Sequence, residues 1–494
     1  SADEAMSGGS DASPGPGMDD SGSVLGDQEP GGTTPSTGGF FATPDDGDGT
    51  FAGLGFRDFI ATNRDPVSTF ALDVDTASYT LGAQWLESGS LPPRDSVRVE
   101  EYVNAFRYAY PAPLEGLVAE TEAGPSPFNP GNVILRIGVQ AEEVTDRERP
   151  DANLTFVVDT SGSMDRVDRL GLVKEALTGL VSELDRRDSV ANVTYSDGAD
   201  VLLAPTMVSD RDVVLDAIDS LRPTGSTNLE AGLRQGYALA SEAFLDGGIN
   251  RVILASDGVA NVGMTDPDGL VSLIRDDADS GIQLVTIGVG MGAFNDVVME
   301  TLADDGDGFY AYVNDIDEAH RLFSEELVGR LLTVAIDTKI QVEFDADSVA
   351  AYRLIGFENR AVHDSDFRND RVDAGEIGAG HQVTAIYELE LQPGVRERDD
   401  LGVVRLRWEE PGSGSVAEKR FDVSAAGVTD GWDETSDDFR LAVTVAALAE
   451  ILRGNPHADE VSVSQVVTEA EALAGLSDAT ARFLELAEAA ERLG

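Results

Sequence analysis

Between about residues 150 and 335 the chain alternates short apolar runs with longer stretches whose apolar side chains return every three or four positions. The segments Leu154-Thr155-Phe156-Val157-Val158, Ser189 to Tyr195, Val201 to Leu203, Arg251 to Ala255, Gln283 to Gly288 and Phe309 to Val313 read as strands. After the first of them, Leu170, Val173, Leu177, Leu180, Val181 and Leu184 fall on one helical face. Ser209 with Asp212 has capping-box spacing and opens a helix through Leu221. Asp266-Pro267 opens another, and Ile316 to about Leu332 closes the unit as a last one. Apolar strands joined by amphipathic helices predict a parallel sheet covered on both faces. The expected fold class is α/β, a doubly wound and mostly parallel sheet.

The flanks differ in period. Upstream, the run Phe70-Ala71-Leu72-Asp73-Val74 predicts a strand, and Thr76 to Ser88 a helix. A second helix follows Pro92-Pro93, and Asn132 to Glu142 alternates as a strand does. From Thr333 to about Val423 the pattern turns to period two, as in Val383 to Leu389 and Val403 to Trp408, which predicts antiparallel sheet. Ser436 to Gly494 holds two or three helices. The chain divides into 1–50, a Gly/Ser/Pro/Asp tether; 51–145, an N-terminal flanking region; 146–332, the α/β unit; 333–425, a β-rich region; and 426–494, the C-terminal helices. The tether has almost nothing apolar to bury, so disorder is expected there. Because both strand-rich pieces are small, 55–145 and 333–425 are expected to pack as one companion, with the α/β unit inserted between them.

Charge narrows the function. Lys plus Arg number 35 against 91 Asp plus Glu, a net charge of −56, which makes nucleic acid and anionic membrane poor partners. Lys174, Lys339 and Lys419 are the only lysines, and there is no phosphate-binding loop that ends in one. Zero cysteines exclude disulfides and thiolate metal sites, and the four histidines lie too far apart for zinc. The longest apolar stretch, near Leu441 to Leu452, is interrupted by Glu450 and is too short for a membrane span. So acidic a surface is the kind that suits high salt, as in a halophile, where abundant cations screen carboxylate repulsion, and it also fits an acidic secreted protein.

One constellation carries chemistry. Asp159-Thr160-Ser161-Gly162-Ser163 stands at the carboxyl end of the first strand of the α/β unit, the edge where ligands bind in such sheets. Thr227, just before a helix, and Asp257, just after the strand ending at Ala255, lie in loops that should reach the same edge. Three hydroxyls and two carboxylates suit Mg²⁺ (or Mn²⁺/Ca²⁺), a hard cation that takes oxygen ligands and keeps several waters. If Ser161, Ser163 and Thr227 bind directly while Asp159 and Asp257 act through water, the inner protein ligands are neutral. The ion then stays electrophilic toward a carboxylate from an Asp or Glu of another protein.

Asp159-x-Ser161-x-Ser163 with Thr227 and Asp257 resembles the metal-ion-dependent adhesion site of von Willebrand factor type A domains. The flanks, Phe70 to Tyr79 with Leu91-Pro92-Pro93, then Tyr352 to Arg360 and Asp373 to His381, resemble those of the bacterial three-part, YfbK-like proteins. The resemblance covers roughly 55 to 490. It implies a doubly wound sheet, divalent-cation-dependent binding of a protein or surface ligand without enzymatic activity, and a place outside the cytoplasm or at the cell surface. A lipid anchor upstream of Ser1 would fit it.

Two other functions compete. A structural surface component would use the metal only to stabilise its loops. A phosphatase would use Asp73 and Asp75 in Asp73-Val74-Asp75-Thr76, but Ala77 departs from that motif and no lysine stands where a partner is needed. The Asp-Gly clusters near Asp45, Asp266 and Asp304 lack a calcium loop's length and terminal Glu, and turn chemistry explains them.

Overall fold

The computed structural model describes residues 55–494 apart from 73–74, 145–148, 258–261, 265–266, 279, 291–295, 314–315, 317–318, 320–331, 373 and 412. The expected tether, Asp73, Asp266 and most of the helix expected over 316–332 fall outside those residues. The first flank forms β1 (Ile60–Ala61), β2 (Val67–Ala71), α1 (Ala77–Glu87), α2 (Val99–Asn104), β3 (Leu117–Pro125) and β4 (Val133–Ala141). Every residue of β4 is buried, its polar alternates included. Those alternates survive burial because they are partnered: Arg136 pairs with Glu122 at 2.9 Å, and Gln140 accepts from Gln382 at 2.7 Å.

The central unit contains β5 (Ala152–Asp159), α3 (Leu172–Glu183), β6 (Ser189–Tyr195), β7 (Ala199–Met207), α4 (Arg211–Ser220), α5 (Leu229–Glu242), β8 (Ile249–Ser256), α6 (Pro267–Ala278), β9 (Gln283–Val289), α7 (Asp296–Asp304) and β10 (Phe309–Val313). Its six strands lie in the order β10-β9-β8-β5-β6-β7, parallel throughout except for β7, which runs antiparallel at the edge. One face packs against α3 and α4 through Val173, Leu177, Leu180 and Val214. The other packs against α5, α6 and α7 through Leu233, Tyr237, Ile274 and Leu302, and Ala77 and Leu81 of α1 join it.

The start of α4 differs from expectation. Val208–Asp210 is a tight turn, and the helix begins at Arg211 with no side-chain bond at its cap, so the Ser209 capping box does not form. The Val208 amide instead donates to the Asp188 carbonyl at 2.8 Å, which ties the turn to the end of the preceding helix loop.

The second flank supplies β11 (Thr333–Phe344), β12 (Val349–Ile355), β13 (Gly375–Gly378), β14 (Gln382–Leu391), β15 (Asp400–Glu410) and β16 (Ser415–Ser424). Its strands interleave with those of the first: β1 pairs β12, β4 pairs β14 and β2 pairs β11, all antiparallel. Two five-stranded sheets result, and one apolar core holding Phe70, Leu117, Ile137, Val342, Tyr387 and Leu406 draws on both flanks. Helices α8 (Asp437–Arg453), α9 (Val463–Leu473) and α10 (Asp478–Leu493) pack with α1 and α2 in a second core around Tyr102, Ile134, Leu448 and Phe483. Serines at 436, 462 and 477 cap all three. No helix among the described residues is long and apolar enough to cross a membrane.

Ion pairs, one buried and one half-buried, join the central unit to its flanks. Arg98 meets Glu300 of α7 at 2.7 Å, and Arg360 meets Asp304 at 2.8 Å. Asp75 accepts from the Tyr310 amide at 3.0 Å and pairs with Arg360 at 3.2 Å.

Candidate functional site

The chain runs from β5 to β6 on one side and reaches β8 only later, on the other side of β5. This is the point where strand order reverses, so the helices connecting the strands splay to opposite faces and leave a crevice at the carboxyl ends of β5 and β8. Asp159 ends β5 at the floor of that crevice, with no exposed surface. One of its carboxylate oxygens accepts the Ser161 amide at 2.8 Å, and the other accepts the Ser256 hydroxyl at 2.9 Å. Burial, with the charge of Asp257 added, pushes its carboxyl up to about 6. Beneath it the Tyr195 phenol is pushed well above its usual range, by burial first and then by the charges of Asp159 and Asp257.

Ser161 and Ser163 lie on either side of Gly162, and their hydroxyl oxygens stand 2.9 Å apart. The loop bearing Thr227 is fastened to theirs: the Thr224 amide donates to the Thr160 carbonyl at 2.5 Å, and Gly162 to Gly225 at 3.0 Å. Gly225 takes φ of +70°, a left-handed turn that brings the loop over, and an added Cβ there would press on the Asp197 carboxylate at 3.1 Å. That carboxylate is in use, accepting the Ser226 amide at 2.9 Å. Asn228 then caps α5 by accepting from the Ala231 amide at 3.1 Å. Thr227 itself is buried, and its carbonyl accepts from the Val262 amide at 3.1 Å, linking this loop to the one after β8. From that third loop, buried Asp257 meets Arg169 at 2.5 Å.

The structure thus gathers Asp159, Ser161, Ser163 and Asp257 at one sheet edge and brings the Thr227 loop onto them. The donors fit a hard divalent cation. Neighbouring ligands of an octahedral Mg²⁺ shell with bonds of about 2.1 Å stand about 3.0 Å apart, which matches the 2.9 Å between the two serine hydroxyls. Asp257 is already paired with the Arg169 guanidinium. Among the described residues no group of three or more His, Asp or Glu forms an alternative metal cluster.

Arg169, Ser256 and Tyr195 had no place in the sequence-based site. Ser256 precedes Asp257 and could have been inferred from that adjacency; Arg169 looks like any polar residue between apolar helix positions. Asp75 ties β10 to Arg360 through its carboxylate, and the N-cap of α1, Thr76, makes no side-chain capping bond.

The von Willebrand factor type A domain model matches residues 153–325, a von Willebrand factor model matches 46–136, and the model described as the C-terminal part of the uncharacterized protein YfbK matches 329–493. The Escherichia coli K12 protein YfbK is 35% identical over 457 residues, covering 87% of this chain and 78% of its own length. A Synechocystis protein is 25% identical over 57% of this chain and 67% of its own length. A solved von Willebrand factor type A structure from Catenulispora acidiphila aligns over 78% of this chain and 89% of its own, with a TM-score of 0.44 and 18% identity. Domains of type A typically mediate metal-dependent protein interactions and are generally not enzymes. With three models matched in order along the chain and one relative alike across most of both lengths, the chain belongs to the YfbK-type proteins built around a von Willebrand factor type A domain.

Proposed function

We propose that this protein binds an acidic protein or surface ligand outside the cytoplasm in a manner that depends on a divalent cation. Ser161, Ser163 and Thr227 would hold Mg²⁺ (or Mn²⁺/Ca²⁺) through their hydroxyls, and Asp159 and Asp257 would act from behind through water. When bound, the ion supplies an electrophilic position for an Asp or Glu carboxylate of the partner. The observation that carries this is the pair of serine hydroxyls at octahedral-edge spacing beside a fully buried carboxylate, at the crevice where strand order reverses. Hydrogen bonds among the three loops hold these donors in place before any ligand arrives, so little ordering cost falls on binding. Asp75 is engaged with Tyr310 and Arg360, which argues against phosphatase chemistry there.

Capture of proteins from cell-surface extracts on the immobilised full chain tests the proposal, with Mg²⁺, with EDTA, and with Ser161→Ala. A partner retained only by the unaltered chain with Mg²⁺ is expected. Equal capture in all three arms would count against adhesion, and a rise in melting temperature with Mg²⁺ but no retained partner would favour a purely structural metal.

A further inference from the structure

Arg169 lies on the helical turn Val167–Gly171 that leads into α3, and only 13% of its side chain is exposed. Its Nη1 donates to Asp257 Oδ2 at 2.5 Å and to the Ser163 carbonyl at 3.0 Å. The side chain lies against Gly290, just past the carboxyl end of β9. There φ is +80°, and an added Cβ would come within 2.6 Å of Arg169 Cγ and Nε. One guanidinium therefore touches the loops that follow β5, β8 and β9.

We propose that Arg169 is a specificity-determining residue of the candidate metal site, trading affinity for the cation against affinity of the loaded site for an anionic ligand. This rests on the function proposed above. The two carboxylates, Asp159 and Asp257, and a divalent cation would cancel in formal charge. Arg169 leaves the loaded crevice with one positive charge that water screens poorly, because the pair it forms with Asp257 is mostly covered. The same charge repels the incoming cation. In a chain of net charge −56 an acidic partner is otherwise repelled, so a local positive centre decides where it can land.

The test is isothermal titration of the full chain with Mn²⁺, in saturating acetate and in chloride of matched ionic strength, for the unaltered protein, Arg169→Gln and Arg169→Lys. Acetate is expected to tighten Mn²⁺ binding to the unaltered chain. Arg169→Gln, which keeps donors but loses charge, should bind Mn²⁺ about tenfold more tightly in chloride and lose most of the acetate effect. Arg169→Lys should resemble the unaltered chain in both. If the arginine only holds the loops, both variants weaken Mn²⁺ binding and neither alters the acetate effect; that result overturns the proposal. So does an Arg169→Lys chain that binds Mn²⁺ more tightly, even where the glutamine variant does not fold. An unaltered chain that takes up no Mn²⁺ contradicts the proposed function itself, which distinguishes the two failures.

Discussion

Asp159 has no exposed surface, and burial pushes its carboxyl up to about 6, with the nearby charge of Asp257 adding to it. A raised carboxyl means that the folded state prefers the proton. The stability gained from protonation is complete below the ordinary carboxylate range and is lost as pH rises through about 6. A divalent cation acts on the ionised form, so its stabilising effect grows over that same interval. Mg²⁺ should therefore raise the melting temperature more at about pH 7.5 than at about pH 5; equal shifts at both would show that Asp159 does not respond to the ion. The oxygen-bearing positions of the candidate site are legible in the sequence because each follows an apolar strand or precedes a helix, where residue type and place together carry meaning. Arg169 is not. Its reach back to Asp257 and Ser163 depends on the path of the turn Val167–Gly171, which no apolar period encodes.

At the scale of elements, α5 shows what periodicity conveys and what it omits. Leu229, Leu233, Tyr237 and Ala240 mark its buried face, but how near it lies to the sheet is set by two glycines. A Cβ at Gly236 would stand 2.3 Å from Val157 Cγ2, and one at Gly232 would stand 2.7 Å from the Tyr195 ring. These contacts place Thr227 and Asn228, at the head of the helix, against the β5 loop. Gly236→Ala improves helix propensity by up to about 1 kcal/mol but overpacks the interface, for a net loss of about 1–3 kcal/mol of unfolding free energy. Urea unfolding measures it, and a stabilised variant would show that the helix can lift away without cost. The start of α4 teaches the complementary lesson: the Ser209 pattern was locally sound, yet a backbone bond from Val208 to Asp188, distant in sequence, fixed a different turn. Period two made β4, β14 and β15 legible, but β1 and β3 had no such signal, and pairing was not legible, since β2 with β11 joins residues about 270 apart.

Across the whole molecule, Arg353 of β12 ties the flank sheet that holds β12 and β14 to the C-terminal helices. It is fully buried, with Glu450 of α8 at 2.8 Å and Glu388 of β14 at 3.1 Å. Ser126 and Asn129 donate to Glu388, both at 2.8 Å, and Asn455 to Glu450 at 2.7 Å. Glu450, which in the sequence only interrupts an apolar run, thus adds a buried ion pair to the apolar docking of α8. Arg353→Met would leave Glu388 buried without Arg353 and Glu450 with Arg453 only, 3.9 Å away, at a cost of about 3–5 kcal/mol in denaturant unfolding. A loss under about 1 kcal/mol would mean that water reaches the pair and that the helices are held by apolar packing alone. The account as a whole depends on the crevice at the ends of β5 and β8 taking up a cation. Anomalous diffraction from crystals of the full chain soaked in Mn²⁺ tests that most directly. A single strong peak bonded to the Ser161 and Ser163 hydroxyls and to Thr227, absent in Ser161→Ala, is the predicted result; no peak in that crevice, or one unaffected by the substitution, would contradict it.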